Sequence, residues 1–337
     1  MTTAPSIRPI VVGVDGSGSG ARALDWAIDE ASRRGRPLHL VHARETTDSM
    51  ASSFVSAPPS WDDPEWVVRD AREHVASRAP QLVVTSSDEL SPASSALVAA
   101  SEHADTVVVG ARGRGALGTA LLGSTSHRVA THAGCPVVVV REAVVPSDAF
   151  PRVVVGVDGS ALSAEAVGYA FATASERSLP LTVVHAWSGQ ELAALDVPAA
   201  VANEVWAAAA DHQRIQTEES IVGWSEKYPD VTVRITVPRG SPVDALVTES
   251  ELAELLVLGS RGLGPFRGVL LGSVSEAVLH RAHCPVAVVR PNSQLRPQVQ
   301  RREAREVGTY GPDRAETRGA QWDSSSHDTA SERRSFS

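Results

Sequence analysis

Val11-Val-Gly-Val-Asp-Gly-Ser17 returns 143 positions later as Val154-Val-Gly-Val-Asp-Gly-Ser160. A β-branched run that breaks at Asp-Gly reads as a buried strand running into a turn. The same offset carries Pro37-Leu-His-Leu-Val-His-Ala43 onto Pro180-Leu-Thr-Val-Val-His-Ala186. Further along, Gly110-Ala-Arg-Gly113 matches Gly259-Ser-Arg-Gly262, and Cys135-Pro-Val137 matches Cys284-Pro-Val286, now at an offset of 149. The chain is a tandem duplication. Its second copy holds a net insertion of about six residues between Ala186 and Gly259. Domains are accordingly expected over 1–145 and 146–293, followed by a tail over 294–337.

Each copy alternates short apolar runs with helical patterns. The expected strands of the first copy are Ile10–Asp15, Leu38–Ala43, Leu82–Thr85, Thr106–Gly110 and Val137–Arg141. Those of the second are Val153–Asp158, Leu181–Ala186, Val231–Val237, Leu255–Gly259 and Val286–Arg290. This alternation predicts an α/β fold, a parallel sheet covered by helices on both faces. Leu24, Ala27, Ile28 and Ala31 give the helix over Ala21–Arg34 one buried stripe. Ser91-Pro92 and Ser241-Pro242 each place a capping residue before a proline at a helix start. The Ser-, Ala- and Pro-rich stretch Thr46–Asp63 reads as a long mobile loop. The tail from about Gln294 to Ser337 is too poor in large apolar residues to offset its ordering entropy, and is expected to be disordered.

Composition narrows the function. The 337 residues are 42% hydrophobic and 21% charged, with a net charge of −9. No basic block lies inside the folded part, which argues against nucleic acid. No apolar run reaches the roughly 18 residues of a membrane span, and Met1–Pro9 lacks a signal-peptide core. Two cysteines are too few for a disulfide framework, so a reducing cytoplasm is expected.

The chemistry concentrates at a glycine loop. Gly110-Ala-Arg-Gly113 is followed by nine residues and then Gly123-Ser124, directly before helical sequence. Gly259-Ser-Arg-Gly262, nine residues and Gly272-Ser273 repeat the pattern. Glycines let backbone approach a ligand, and a helix N-terminus offers unpaired N–H groups to phosphate. In an open sheet of order 3-2-1-4-5, ligands bind outside the carboxyl ends of the strands, between the first and the fourth. Asp15 and Gly110, and likewise Asp158 and Gly259, would face that crevice.

These residues, with the terminal Cys-Pro-Val segments, resemble the universal stress protein family over about Arg8 to Arg290. The resemblance implies two Rossmann-like domains of the adenine nucleotide α-hydrolase type, each with five parallel strands in the order 3-2-1-4-5. The intact glycine motif implies the ATP-binding subgroup, with magnesium accompanying the nucleotide. It assigns phosphate and ribose contacts to Gly110, Arg112, Gly113, Gly123, Ser124, Thr125 and Ser126. Their counterparts are Gly259, Arg261, Gly262, Gly272, Ser273, Val274 and Ser275. Gly13 and Asp15, with Gly156 and Asp158, fall at the strand end that meets the nucleotide, and Ala43 and Ala186 line the adenine. Each last strand would otherwise leave an apolar edge open, so the two domains are expected to pack pseudo-symmetrically through Val137–Arg141 and Val286–Arg290, and two chains to pair by the same logic into a homodimer through the last strands. A regulatory protein partner and a role in stress response or growth arrest are further expectations from the resemblance.

Look-alikes fail on spacing. There is no Gly-x-x-x-x-Gly-Lys-Ser/Thr loop, and Lys227, the one lysine, is far from the motif. Gly16, Gly18 and Gly20 lack dinucleotide-fingerprint spacing. His132 with Cys135, and His283 with Cys284, do not assemble four zinc ligands, and both cysteines suit core packing. His42 and His185 end the second strands, where a structural role outweighs a ligand contact. No motif positions a general base, so slow ATP hydrolysis and a duplicated scaffold stand as the alternatives to a nucleotide-holding regulator.

Overall fold

A computed structural model of the chain describes residues 7–44, 64–113, 122–141, 151–160, 163–187, 202–262 and 271–290. The first repeat contains β1 Ile10–Gly13, α1 Gly18–Arg34, β2 Leu38–Ala43, α2 Pro64–Arg78 and β3 Val84–Glu89. It continues with α3 Ala93–Ser101, β4 Thr106–Gly110, α4 Ser124–His132 and β5 Val137–Val140. The second contains β6 Arg152–Gly156, α5 Ser163–Arg177, β7 Leu181–Val184, α6 Ala202–Lys227 and β8 Val233–Thr236. It ends with α7 Pro242–Ser250, β9 Ala253–Gly259, α8 Ser273–Arg281 and β10 Val286–Val289.

Among the described residues, ten strands join one sheet in the order β3-β2-β1-β4-β5-β10-β9-β6-β7-β8. Each half has the expected 3-2-1-4-5 order. Within a half every pairing is parallel, and the halves meet through the antiparallel pair β5–β10, with Val138 opposite Ala287. An open valine edge on either half would be an aggregation surface, and each edge here covers the other. Both strands thereby have neighbours on both sides. The two domains thus join through their last strands, as expected, and this leaves no free edge there for the homodimer expected by the same logic.

Side chains alternate along the strands and build two cores. Ile10, Val12, Val138, Val153, Val155 and Ala287 face α1 and α5, where Ala27, Ile28, Ala170 and Phe171 are buried. Val11, Val107, Val139, Val154, Leu256 and Val286 form the opposite core with Leu97, Val129, Leu246 and Val278. Each core runs unbroken across both repeats. The boundary between them also carries ion pairs. Arg177 of α5 donates to Glu30 of α1 at 2.7 Å and also pairs with Glu254 of its own repeat, while Arg34 of α1 pairs with Glu176 of α5 at 3.3 Å.

Several boundaries differ from expectation. The third strand lies at Val84–Glu89 rather than Leu82–Thr85, because an edge strand with one neighbour tolerates Ser86, Ser87 and Asp88. β8 is shorter than Val231–Val237. β1 and β6 end at Gly13 and Gly156, leaving Asp15 and Asp158 in the turns beyond. Ser241 caps α7 through its hydroxyl, whereas α3 begins after Pro92 without a side-chain cap, so Ser91 does not play that role. Part of the second copy's extra length is in α6, 26 residues against 15 in α2. The proposed loop Thr46–Asp63 and the whole tail lie outside the described residues.

Candidate nucleotide site

The geometry begins at Asp15. Its Oδ1 accepts from the Ser17 N–H at 3.0 Å and the Ser17 hydroxyl at 2.6 Å. Ser17 Oγ in turn accepts from the Gly20 N–H at 3.0 Å and caps α1. Gly16, at φ 74°, makes the intervening turn in a region side chains resist. The second repeat reproduces this with Ser160 N–H donating to Asp158 Oδ1 at 3.0 Å and Gly159 at φ 77°. Oδ1 is thus held by the turn, which fixes where Oδ2 points.

Oδ2 points at the glycine loop. A β-carbon built on Gly113 would lie 3.1 Å from Asp15 Oδ2, and one on Gly262 would collide with Asp158 Oδ2. The loop closes onto its helix through Gly123 N–H donating to Ala111 O at 2.8 Å, and Gly272 N–H to Ser260 O at 2.8 Å. Neither α4 nor α8 receives a side-chain cap. The first N–H groups of each helix, with their partial positive charge, therefore open beside the Asp–Gly pair. Ser124 and Ser273 are exposed there, and Thr125 and Val274 half-buried. Residues 114–121 and 263–270 of the two loops lie outside the described residues.

Other expected contacts have different surroundings. The buried hydroxyls of Ser126 and Ser275 donate to Gly110 O at 2.6 Å and Gly259 O at 2.7 Å, tying each last helix to its strand end. Gly110 admits α1, since a β-carbon there would sit 2.6 Å from Ser19 O. Arg112 N–H donates to Ser19 Oγ at 3.2 Å from the same side. Gly13 packs against Leu97, and Gly156 against Leu246 and Leu258. Ala43 ends β2, and Ala186 lies two residues past β7. His42 bonds Asp88 at 3.0 Å, and His185 bonds Val157 O and Gln213. Both cysteines are buried, and among the described residues no cluster of three or more His, Cys, Asp or Glu could hold a metal.

Two cations escaped the sequence reading. Arg141, just past β5, donates to Leu279 O of the other repeat at 2.6 Å, and Arg290 to Ala130 O at 3.4 Å. Burial, and then the nearby charge of Arg112, push the Arg141 guanidinium pKa down; burial and Arg261 do the same to Arg290. A guanidinium remains charged at neutral pH all the same. Each loop arginine therefore has a second arginine close enough to feel. The only sequence signal was an arginine after a valine run in both copies.

A tandem Rossmann-like fold with a helix-start glycine loop in each half defines the class, and the comparisons agree. Residues 6–141 and 149–290 match the model of the universal stress protein family. Universal stress protein Rv2005c of Mycobacterium tuberculosis is 38% identical over 293 residues, covering 83% of this chain and 96% of the relative. Universal stress protein Rv2623 of the same organism is 37% identical over 308 residues, covering 86% and 99%. The crystal structure of a universal stress protein from Archaeoglobus fulgidus aligns over 85% of this chain and 97% of its own, at TM-score 0.59 and 20% identity, a likeness of fold. The chain belongs to the universal stress protein family. Among the described residues, no helix is long and apolar enough to cross a membrane.

Proposed function

We propose that the chain binds ATP, one molecule per repeat, and acts in the cytoplasm as a nucleotide-responsive regulator of stress response or growth arrest. The observation that carries this is the juxtaposition, made twice, of a carboxylate oxygen, a glycine peptide and an uncapped helix start. Asp15 Oδ2 stands against Gly113 beside α4, and Asp158 Oδ2 against Gly262 beside α8. A carboxylate suits ribose hydroxyls or a magnesium ion, and helix N–H groups suit phosphate oxygens. Arg112 with Arg141, and Arg261 with Arg290, add positive charge at the phosphate end. A β-carbon on either loop glycine would enter the space this arrangement needs.

Holding the nucleotide is favoured over turning it over. Hydrolysis needs an oriented water as well as charge stabilisation, and each Asp is occupied by its own turn on one oxygen. Occupancy stabilises the folded chain by mass action and can bias the surface a regulatory partner reads. A homodimer belongs to the same proposal, through a surface other than β5 and β10. Titration calorimetry with ATP and magnesium tests it. Two sites are expected on the native chain, falling to one in Asp15→Ala or Asp158→Ala. Unchanged binding in the double variant would overturn the reading.

A further inference from the structure

The two repeats share the phosphate end of the rim but differ at its other end. Parallel strands present their carboxyl ends along one rim, neighbours about 4.8 Å apart. In the second half the order β9-β6-β7-β8 sets the glycine loop first, then Asp158, then the exits of β7 and β8. Trp187 and Arg239 stand at those last two exits, joined by a bridge between them. Trp187 N–H donates to Pro238 O at 3.2 Å, and Gly240 N–H donates to Trp187 O at 2.9 Å. Gly240, at φ 128°, adopts a backbone that a side chain would strain. The Trp187 backbone is therefore pinned to its neighbouring strand from both directions.

Its ring is backed by others. The Trp187 and Trp206 centroids are 5.7 Å apart at 44°, and the Arg239 guanidinium lies 3.6 Å over the Trp206 ring. The Trp187 indole N–H is shielded from water and has no hydrogen-bond partner among the described residues. A shielded donor left unpaired costs free energy that an incoming acceptor recovers. In the first repeat the place of Trp187 is taken by Arg44, whose guanidinium pairs with Asp88 at 2.7 Å beside His42. One rim thus ends in a tilted pair of aromatic rings and the other in the polar cluster of Arg44, Asp88 and His42.

We propose that Trp187 is the base-recognition residue of the second site, stacking a purine ring and offering its N–H, with Trp206 and Arg239 as its support. The inference rests on the nucleotide reading above and makes the two sites unequal. The second is selective for a nucleoside with an aromatic base, while the first relies on its phosphate end. One to two strand spacings separate Asp158 from Trp187 and Arg239, which matches the step from ribose to base. Phosphate, sugar and base would then lie in order along β9, β6 and β7.

The test titrates the full chain and its Trp187→Ala and Trp187→Phe variants with ATP and, separately, with inorganic tripolyphosphate, which shares the phosphates and lacks the base. In Trp187→Ala one of two ATP sites should weaken by at least about fivefold, as expected for a lost base–aromatic stack. Tripolyphosphate affinity should stay within about twofold, and Trp187→Phe, which keeps an aromatic ring but loses the N–H, should bind ATP more weakly than the native chain and more tightly than Trp187→Ala. Two unchanged ATP sites in Trp187→Ala, or equal loss of ATP and tripolyphosphate, would overturn the inference while leaving the nucleotide reading intact. A wild-type chain that takes up no ATP would overturn both.

Discussion

Glu30→Gln probes whether the two repeats fold as one body. Glu30 is 2% exposed, yet it belongs to α1 of the first repeat and accepts from Arg177 of α5 in the second at 2.7 Å. It also accepts from Arg33 at 2.7 Å, and the Arg177 guanidinium stacks 5.3 Å over Trp26. The amide replacement keeps the volume and removes the charge, leaving Arg177, 5% exposed, with Glu254 as its remaining partner. Breaking a buried ion pair costs about 3–5 kcal/mol. Glu254 is 37% exposed and compensates in part, so the lower end, about 3 kcal/mol, applies. In a cooperative unit of this size that lowers Tm by about 6 °C. Calorimetry and urea unfolding should both register it, as one transition that moves as a whole. The double variant Glu30→Met with Arg177→Met should recover most of the loss, because an apolar pair removes the stranded charge. A cost below about 1 kcal/mol, or a melt in which half the transition stays in place, would refute this account of the boundary.

Other perturbations separate the parts of the account. Gly262→Ala should weaken ATP at the second site more than Gly113→Ala weakens the first, since the Asp158 oxygen is nearer than Asp15's 3.1 Å. Calorimetry showing the reverse order would contradict the cradle geometry. Burial pushes the Cys135 and Cys284 thiols up to about 12, so native protein should resist a thiol-reactive disulfide that labels both after denaturation. Rapid native labelling would refute their placement. Burial acts to raise Asp25 and Asp88, but hydrogen bonds from His74 and Arg78, and from His42 and Arg44, hold both below the usual carboxylate range. Lowered folded pKa values contribute stability above the ordinary pKa that is lost as pH falls through the lowered ones, so unfolding free energy should decline below about pH 4. Asp88→Asn should flatten that decline, and an unchanged slope would sink the assignment.

The features legible in the sequence are those that local chemistry repeats. Val11–Ser17 and its copy disclosed the duplication, and β-branched runs marked the central strands because both faces of those strands are buried. The Gly-Ala-Arg-Gly spacing and Asp15 pointed to one rim, where Asp15 and Gly113 indeed meet. Edge strands were harder. β3 is polar along Ser86–Glu89 and has one strand neighbour, so its pattern resembles a loop. In α6 Thr217 and Ile221 are buried, too few to write a stripe. The apolar last strands pointed to the joining of the repeats, but its side-chain contacts left no local trace: Glu30 with Arg177, and Arg141 with Leu279 O, depend on the antiparallel joining of β5 to β10. Trp187 was invisible for another reason, since its counterpart is Arg44 and the search for repeats discards what the copies do not share.

Denaturing extraction of purified native protein, with identification of the released nucleotide and moles per chain, tests the central claim most directly. Close to two adenine nucleotides per chain, chiefly ATP, is the predicted result. No nucleotide on extraction, and none taken up when ATP and magnesium are added, would contradict it.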